Sequence, residues 1–152
     1  MQVTEHRLLG VNIDNQLKWQ CHINSICKSV SKNIYLLSKL KPFVDVDTRK
    51  MFFNAHIKSH IDYCSTVWDG SSEVHLKRLD SLYRRAAKQV LPDPTLTTDE
   101  KLRKLQILPL HKHLLLNKGV MMYKIWTHTV PEYLSCLFSN QIKSNKTLLS
   151  VL

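Results

Sequence analysis

The segment Asp47 to Gly70, DTRKMFFNAHIKSHIDYCSTVWDG, constrains the fold most, because it is the most apolar long stretch of the chain. Asp47 or Thr48 supplies a side chain able to cap the orphan N–H groups of a first helical turn. Met51, Ala55, Lys58 and Asp62 share one stripe at helical spacing, and Phe52, His56, Ser59 and Tyr63 share the next. Phe53, Ile57, Ile61 and Cys64 widen the apolar surface to most of the circumference. A helix apolar nearly all round belongs among other helices rather than on a surface. Val67 and Trp68 lead into Asp69-Gly70-Ser71-Ser72, a turn cluster that stops it. The segment reads as the central helix of an α-helical domain.

The flanking segments agree. From Leu17 to Lys41 a single stripe recurs at three- and four-residue spacing: Trp19, Ile23, Ile26, Val30, Ile34, Leu37 and Leu40. Lys28, Lys32, Lys39 and Lys41 lie mostly off it, and Pro42 stops the helix. The short link Phe43 to Val46 favours antiparallel packing against the central helix. A third helix spans about Ser72 to Leu91, with Val74, Leu79, Leu82, Tyr83, Ala86 and Val90 inward. Its other face carries Lys77, Arg78, Arg84, Arg85 and Lys88. Pro92-Asp93-Pro94 breaks it, and Thr97 with Glu100 forms a capping box for a short helix bearing Leu102 and Leu105. Pro109 suits the first turn of a helix from Leu110 to about Trp126, with Leu114, Val120, Met121 and Ile125 available for packing. Pro131 to Leu134 starts a last short helix through Phe138, and residues 139–152 read as a loose tail.

Before these helices, RLLGVNI (residues 7–13) alternates, with Leu9, Val11 and Ile13 on one face of a strand. No strong second strand follows, although one strand cannot satisfy its own backbone. The expected fold is mainly α. It is an antiparallel bundle of about five to six helices with one N-terminal strand whose sheet lies elsewhere. Three Gly and five Pro are few for an all-β protein, and 43% apolar residues suffice for a core. The expected divisions are 1–14, 15–92 (a three-helix core), 93–138 (a helical extension) and 139–152.

Lysine and arginine outnumber aspartate and glutamate by 22 to 12, a formal charge of +10. That excess suits a polyanion, of which nucleic acid is the commonest. The four cysteines, Cys21, Cys27, Cys64 and Cys136, lack a secreted-scaffold spacing, so reduced thiols inside a cell, in nucleus or cytoplasm, are expected. MQVTEHRLLG is too polar for a signal peptide, and no apolar run is long enough to span a bilayer, so no membrane partner is expected.

LLGVNIDNQLKWQCHI (Leu8 to Ile23), HIDYCSTVWDG (His60 to Gly70) and HLKRLDSLYRRAAKQVL (His75 to Leu91), in this order and spacing, are joined by Leu108-Pro109-Leu110 and Pro131-Glu132-Tyr133-Leu134. Together they resemble the region after the palm in reverse transcriptases of non-LTR retrotransposons, jockey-like elements in particular. The resemblance covers roughly Leu8 to Phe138. It implies that the Leu-Gly-Val strand is a palm edge at the primer grip, with Leu9, Gly10 and Val11 at or beside it. It further implies that the helices form a thumb and its extension. Lys28, Lys32 and Lys39 would then face primer–template backbone, and by its charge the second basic face, Lys77, Arg78, Arg84, Arg85 and Lys88, is also expected to contact nucleic-acid backbone. The strand's sheet partners would lie in palm and fingers regions that this sequence does not contain, and the partner would be an RNA–DNA hybrid or duplex. An exposed strand edge and the apolar surface beneath it would promote self-association.

The sequence departs from that family in its chemistry. Such polymerases hold two metal ions, Mg2+ in the parent enzyme, about 3.5–4 Å apart on paired carboxylates. The usual carrier is an aromatic-x-Asp-Asp turn, and no Asp-Asp occurs here. Asp45 and Asp47 read as helix caps. The chain alone is expected to be non-catalytic and to need no cofactor or metal.

Other constellations are weaker. Cys21, His22 and Cys27 lack Cys-x-x-Cys spacing and fall on different helix faces. His56 and His60, four apart, make at most half a metal site. His111-Lys112-His113 reads as a solvated basic face, and Trp19, Trp68 and Trp126 as core or interface residues. Two other classes of function stay open. One is a stand-alone helical interaction module, marked by tight protein association with weak nucleic-acid binding, or a decayed element copy. The other is an enzyme assembled only in three dimensions, marked by a cleft gathering Cys64, His56 and His60.

Overall fold

A computed structural model describes residues 4–136. Two short strands open it, β1 (Glu5–Leu8) and β2 (Val11–Asp14), paired antiparallel with Leu8 opposite Val11 and Glu5 opposite Asp14. The orphan-strand expectation is thereby corrected. The alternation that placed Leu9, Val11 and Ile13 on one strand crosses a two-residue turn, because Leu9 and Gly10 both take positive φ, 47° and 85°. That combination reverses the chain into a hairpin whose twist suits the flanking strands. The second strand escaped notice because all four residues of β1 are exposed and carry no alternation.

Helix α1 (Gln20–Leu40) follows a loop organised by one carboxylate. Asp14 accepts from the N–H groups of Gln16 and Lys18 through Oδ1, at 3.0 Å each, and from Trp19 through Oδ2 at 2.8 Å. These bonds, the Lys18 N–H above all, hold its carboxyl below the usual carboxylate range. The predicted stripe is buried from Trp19 through Leu37, while Leu40 is exposed.

The central segment departs most from expectation. Asp45, not Asp47 or Thr48, is the cap, its carboxylate accepting from the Thr48 N–H at 2.9 Å. Helix α2 (Val46–Phe52) runs into a π-helical stretch, Phe53–Lys58, and then α3 (Ser59–Asp62). The chain breaks at Tyr63 and Cys64, where Cys64 has φ 51°, before the single turn α4 (Ser65–Trp68). Nor is the segment buried all round. Phe53, Ile57, Ile61 and Trp68 are fully buried, whereas Met51, His56, Tyr63 and Val67 are exposed.

Helix α5 (Glu73–Val90) packs along α1, and the π-helical stretch packs on both. Leu79, Tyr83, Ala86, Ala87 and Val90 face the core as predicted; Leu82 is half-buried and Val74 is exposed. The Tyr83 hydroxyl donates to the Leu108 carbonyl at 3.2 Å, and burial pushes the phenol well above its ordinary value. Helix α6 (Thr98–Lys104) begins with the predicted capping box. Helix α7 (Leu110–Trp126) has the predicted bounds.

The chain divides into two compact units, Met1–Leu114 and Leu115–Leu152. The first holds the continuous core and includes Leu102, Leu105, Ile107, Leu110 and Leu114, so the segment after Pro92 shares the core of the three helices before it. In the second, Ile125 is buried, and the buried Ser135 hydroxyl lies 3.5 Å from its carbonyl. Residues 132–136 are helical; the predicted end of that helix at Phe138 and the tail 139–152 fall outside the described residues.

Candidate nucleic-acid interface

Helix α1 contains three lysines and no aspartate or glutamate. At about 100° per residue, Lys28, Lys32 and Lys39 fall within about 40° of one another, opposite the buried stripe. All three are exposed, and none is in an ion pair among the described residues. Tyr35 completes the stripe, 61% exposed, with the Lys39 Nζ 5.5 Å from its ring centre. A cationic row with an aromatic in phase can hold phosphates and offer a stacking face. Sequence reasoning passed over Tyr35. The available signal was its four-residue spacing to Lys39, in phase with Lys28 and Lys32.

The basic residues of α5 are differently employed. Lys77 pairs with Glu73 at 2.9 Å, and Arg84 with Asp80 at 2.8 Å and Asp99 at 2.9 Å. The hydrogen bond it donates to Asp80 is the main reason that the Arg84 guanidinium is held even more firmly protonated than usual. Arg78 donates from Nη1 to Asn24 Oδ1 at 2.7 Å, tying α5 to α1. Arg85 and Lys88 are exposed and outside any ion pair among the described residues.

Leu9, Gly10 and Val11 lie on the hairpin rather than along one strand. Leu9, 83% exposed, and Gly10 make the turn, while Val11 begins β2 and is buried. The Tyr63 hydroxyl donates to the Leu9 carbonyl, and the Tyr63 ring lies 3.6 Å from where a Cβ on Gly10 would sit. The turn is therefore anchored from the end of α3.

A scan against protein-family models, a search of curated proteins and a search of solved structures each return no match.

The remaining constellations resolve into packing. The Cys21 thiol donates to Glu5 Oε1 at 2.8 Å, and that carboxylate raises its pKa. Cys27 is buried, and desolvation raises its thiol too. None of the four cysteines forms a disulfide among the described residues. His22 is buried edge-on to Trp68, and desolvation lowers its pKa. His56 lies against the Phe52 ring, 4.6 Å between centres, and His60 is exposed. No three His, Cys, Asp or Glu side chains gather to metal-binding distance among the described residues. His113 is not solvated as the sequence suggested: it is buried and bonded through Nε2 to Asp62, which Lys58 also pairs at 3.3 Å. Trp19 and Trp68 are core residues, whereas Trp126 is 79% exposed. No helix among the described residues is long and apolar enough to cross a membrane.

Proposed function

We propose that this chain is a thumb-type module of a retroelement reverse transcriptase, non-catalytic by itself, that grips primer–template backbone without reading sequence. The observation that carries the reading is the uncompensated lysine row of α1 with Tyr35 set within it. Cations on a rigid helix position phosphates and carry no base information. The ordered motifs from Leu8 to Leu134, which resemble that family, support the reading, and the charge distribution favours the α1 face.

The test is binding of the purified chain to labelled RNA–DNA hybrids of several sequences across a salt series. The expected outcome is a linear fall of log K with log salt, its slope containing about 0.9 for each phosphate neutralised, and indifference to sequence. Absence of binding at low salt by a folded chain would sink the proposal. A second reading, a protein-interaction module, is favoured by Leu115, Leu116, Tyr123 and Trp126, all exposed on α7. Concentration-dependent mass in light scattering combined with no hybrid binding would select it.

A further inference from the structure

We infer that the cleft between α5, α6 and the first turn of α7 is a nucleotide site, built for a nucleoside 5′-phosphate either free or at the end of a strand. This inference does not rest on the thumb reading, since it uses none of the α1 lysines. The cleft has a volume of about 500 Å³, within the range of small-molecule pockets. Its polar lining is Arg84, Asp99, Arg103, Gln106, His111 and Lys112, over an apolar floor that includes Leu108 and Pro109.

The charges favour a phosphate. Arg103 and Lys112 are exposed and in no ion pair among the described residues. The only carboxylate in the lining, Asp99, is already bound to Arg84 at 2.9 Å. Arg84 is shared between Asp99 and Asp80, so three cations against two carboxylates leave one net positive charge, and the attraction for a phosphate rests on Arg103 and Lys112. The seventeen-residue helix α7 adds its positive end. Its first internal hydrogen bond runs from the His113 N–H to the Pro109 carbonyl, so the N–H groups of Leu110, His111 and Lys112 precede the ladder. No acidic residue occupies that first turn to compensate them.

Gln106 points to a ligand with an edge to be read. It ends α6 at φ 56°, with its N–H bonded to the Arg103 carbonyl and the Ile107 N–H bonded to the Leu102 carbonyl. This closing pattern normally takes glycine, which adopts positive φ without a Cβ penalty. Glutamine there places a carboxamide in the lining, a donor and an acceptor suited to a base, while the floor offers the base an apolar face.

The test is calorimetric titration of the full chain with AMP, adenosine and inorganic phosphate. AMP is expected to bind at least about tenfold more tightly than either half alone, and Arg103→Glu or Lys112→Glu to weaken it about tenfold or more. Lys18→Glu, an exposed charge reversal outside the cleft, should leave AMP binding unchanged, and circular dichroism of each variant should overlay that of the parent. Gln106→Gly should weaken AMP binding while raising the melting temperature. Oligonucleotides with a 5′-phosphate or a 5′-hydroxyl separate the two sources of the ligand: a preference for the phosphate selects a strand end, and equal affinity with AMP binding retained selects the free nucleotide. AMP no tighter than inorganic phosphate, or AMP binding indifferent to Arg103→Glu, overturns the inference.

Discussion

Leu9 is a residue in the wrong conformation for its chemistry. An L-residue with a branched side chain at φ 47° brings Cβ against the following carbonyl, at a cost of about 1 kcal/mol or more. What fixes it is the hairpin turn and the hydrogen bond from Tyr63 to its carbonyl, a backbone contact that does not depend on the leucine side chain. Leu9→Asn should therefore stabilise the chain by about 1 kcal/mol in a thermal melt, because asparagine tolerates this region. If the turn acts as the reverse-transcriptase resemblance implies, the same variant will lose hybrid affinity while gaining stability. His22 gives a pH signature of its own. The ring is buried against Trp68 with the Asn12 N–H 3.4 Å from Nδ1, and its Nε2 is buried without a hydrogen-bond partner. Burial lowers its pKa, so the unfolded chain binds the proton first as pH falls. Its contribution to stability is intact above the unfolded value of about 6.5 and declines below it, levelling once the folded state also protonates. Urea midpoints between neutral and mildly acidic pH should show this slope, and His22→Gln should flatten it.

The central segment packs on both α1 and α5, and it is the element that its residues described least well. Phe53, Ile57 and Ile61 recur every fourth residue, a spacing that drifts about 40° per step around a regular α-helix. The wider π-helical turn over Phe53–Lys58 takes back part of that drift and keeps all three side chains on the core side. Asn33 of α1 donates to the His56 carbonyl within it. Ile57→Ala should cost about 3 kcal/mol in chemical denaturation, whereas Met51→Ala, 70% exposed, should change stability by less than about 0.5 kcal/mol. Equal effects at the two positions would restore the reading of a helix buried all round. The contrast shows what was legible in the sequence. The α1 stripe, the Thr97–Glu100 box and the Pro109 start are local patterns with one physical meaning, and they appear as read. Chain reversals without their customary residues are not local. Leu9 in the hairpin turn, Cys64 at the helix break and Gln106 and His128 after α6 and α7 all take positive φ where glycine would have signalled it. The lysine row of α1 was legible by period. The restraint of Arg84 was not, because Asp99 lies fifteen residues away across a proline-broken loop.

At the scale of the whole molecule, a charge of +10 says less than where its counter-charges sit. On α5, Lys77 and Arg84 are answered by Glu73 and Asp80 of the same helix and by Asp99 of α6, so two of its five basic residues already have carboxylate partners. An incoming phosphate must compete with those carboxylates and gains little from either cation. Helix α1 offers Lys28, Lys32 and Lys39 with no carboxylate on the helix, so each can exchange a condensed counterion for a phosphate. The two faces should therefore differ in salt dependence and not only in affinity. Replacing Lys28, Lys32 and Lys39 together by alanine should lower the magnitude of the log K against log salt slope by about 3, close to one for each lysine. Replacing Lys77 and Arg84 by alanine should change it by less than about 1, because those charges release few counterions while paired. Hybrid-binding anisotropy measured in parallel on the two variants decides between the faces. Equal slopes in both would mean that the grip is distributed over the surface, and a larger loss in the α5 variant would move the interface from α1 to α5.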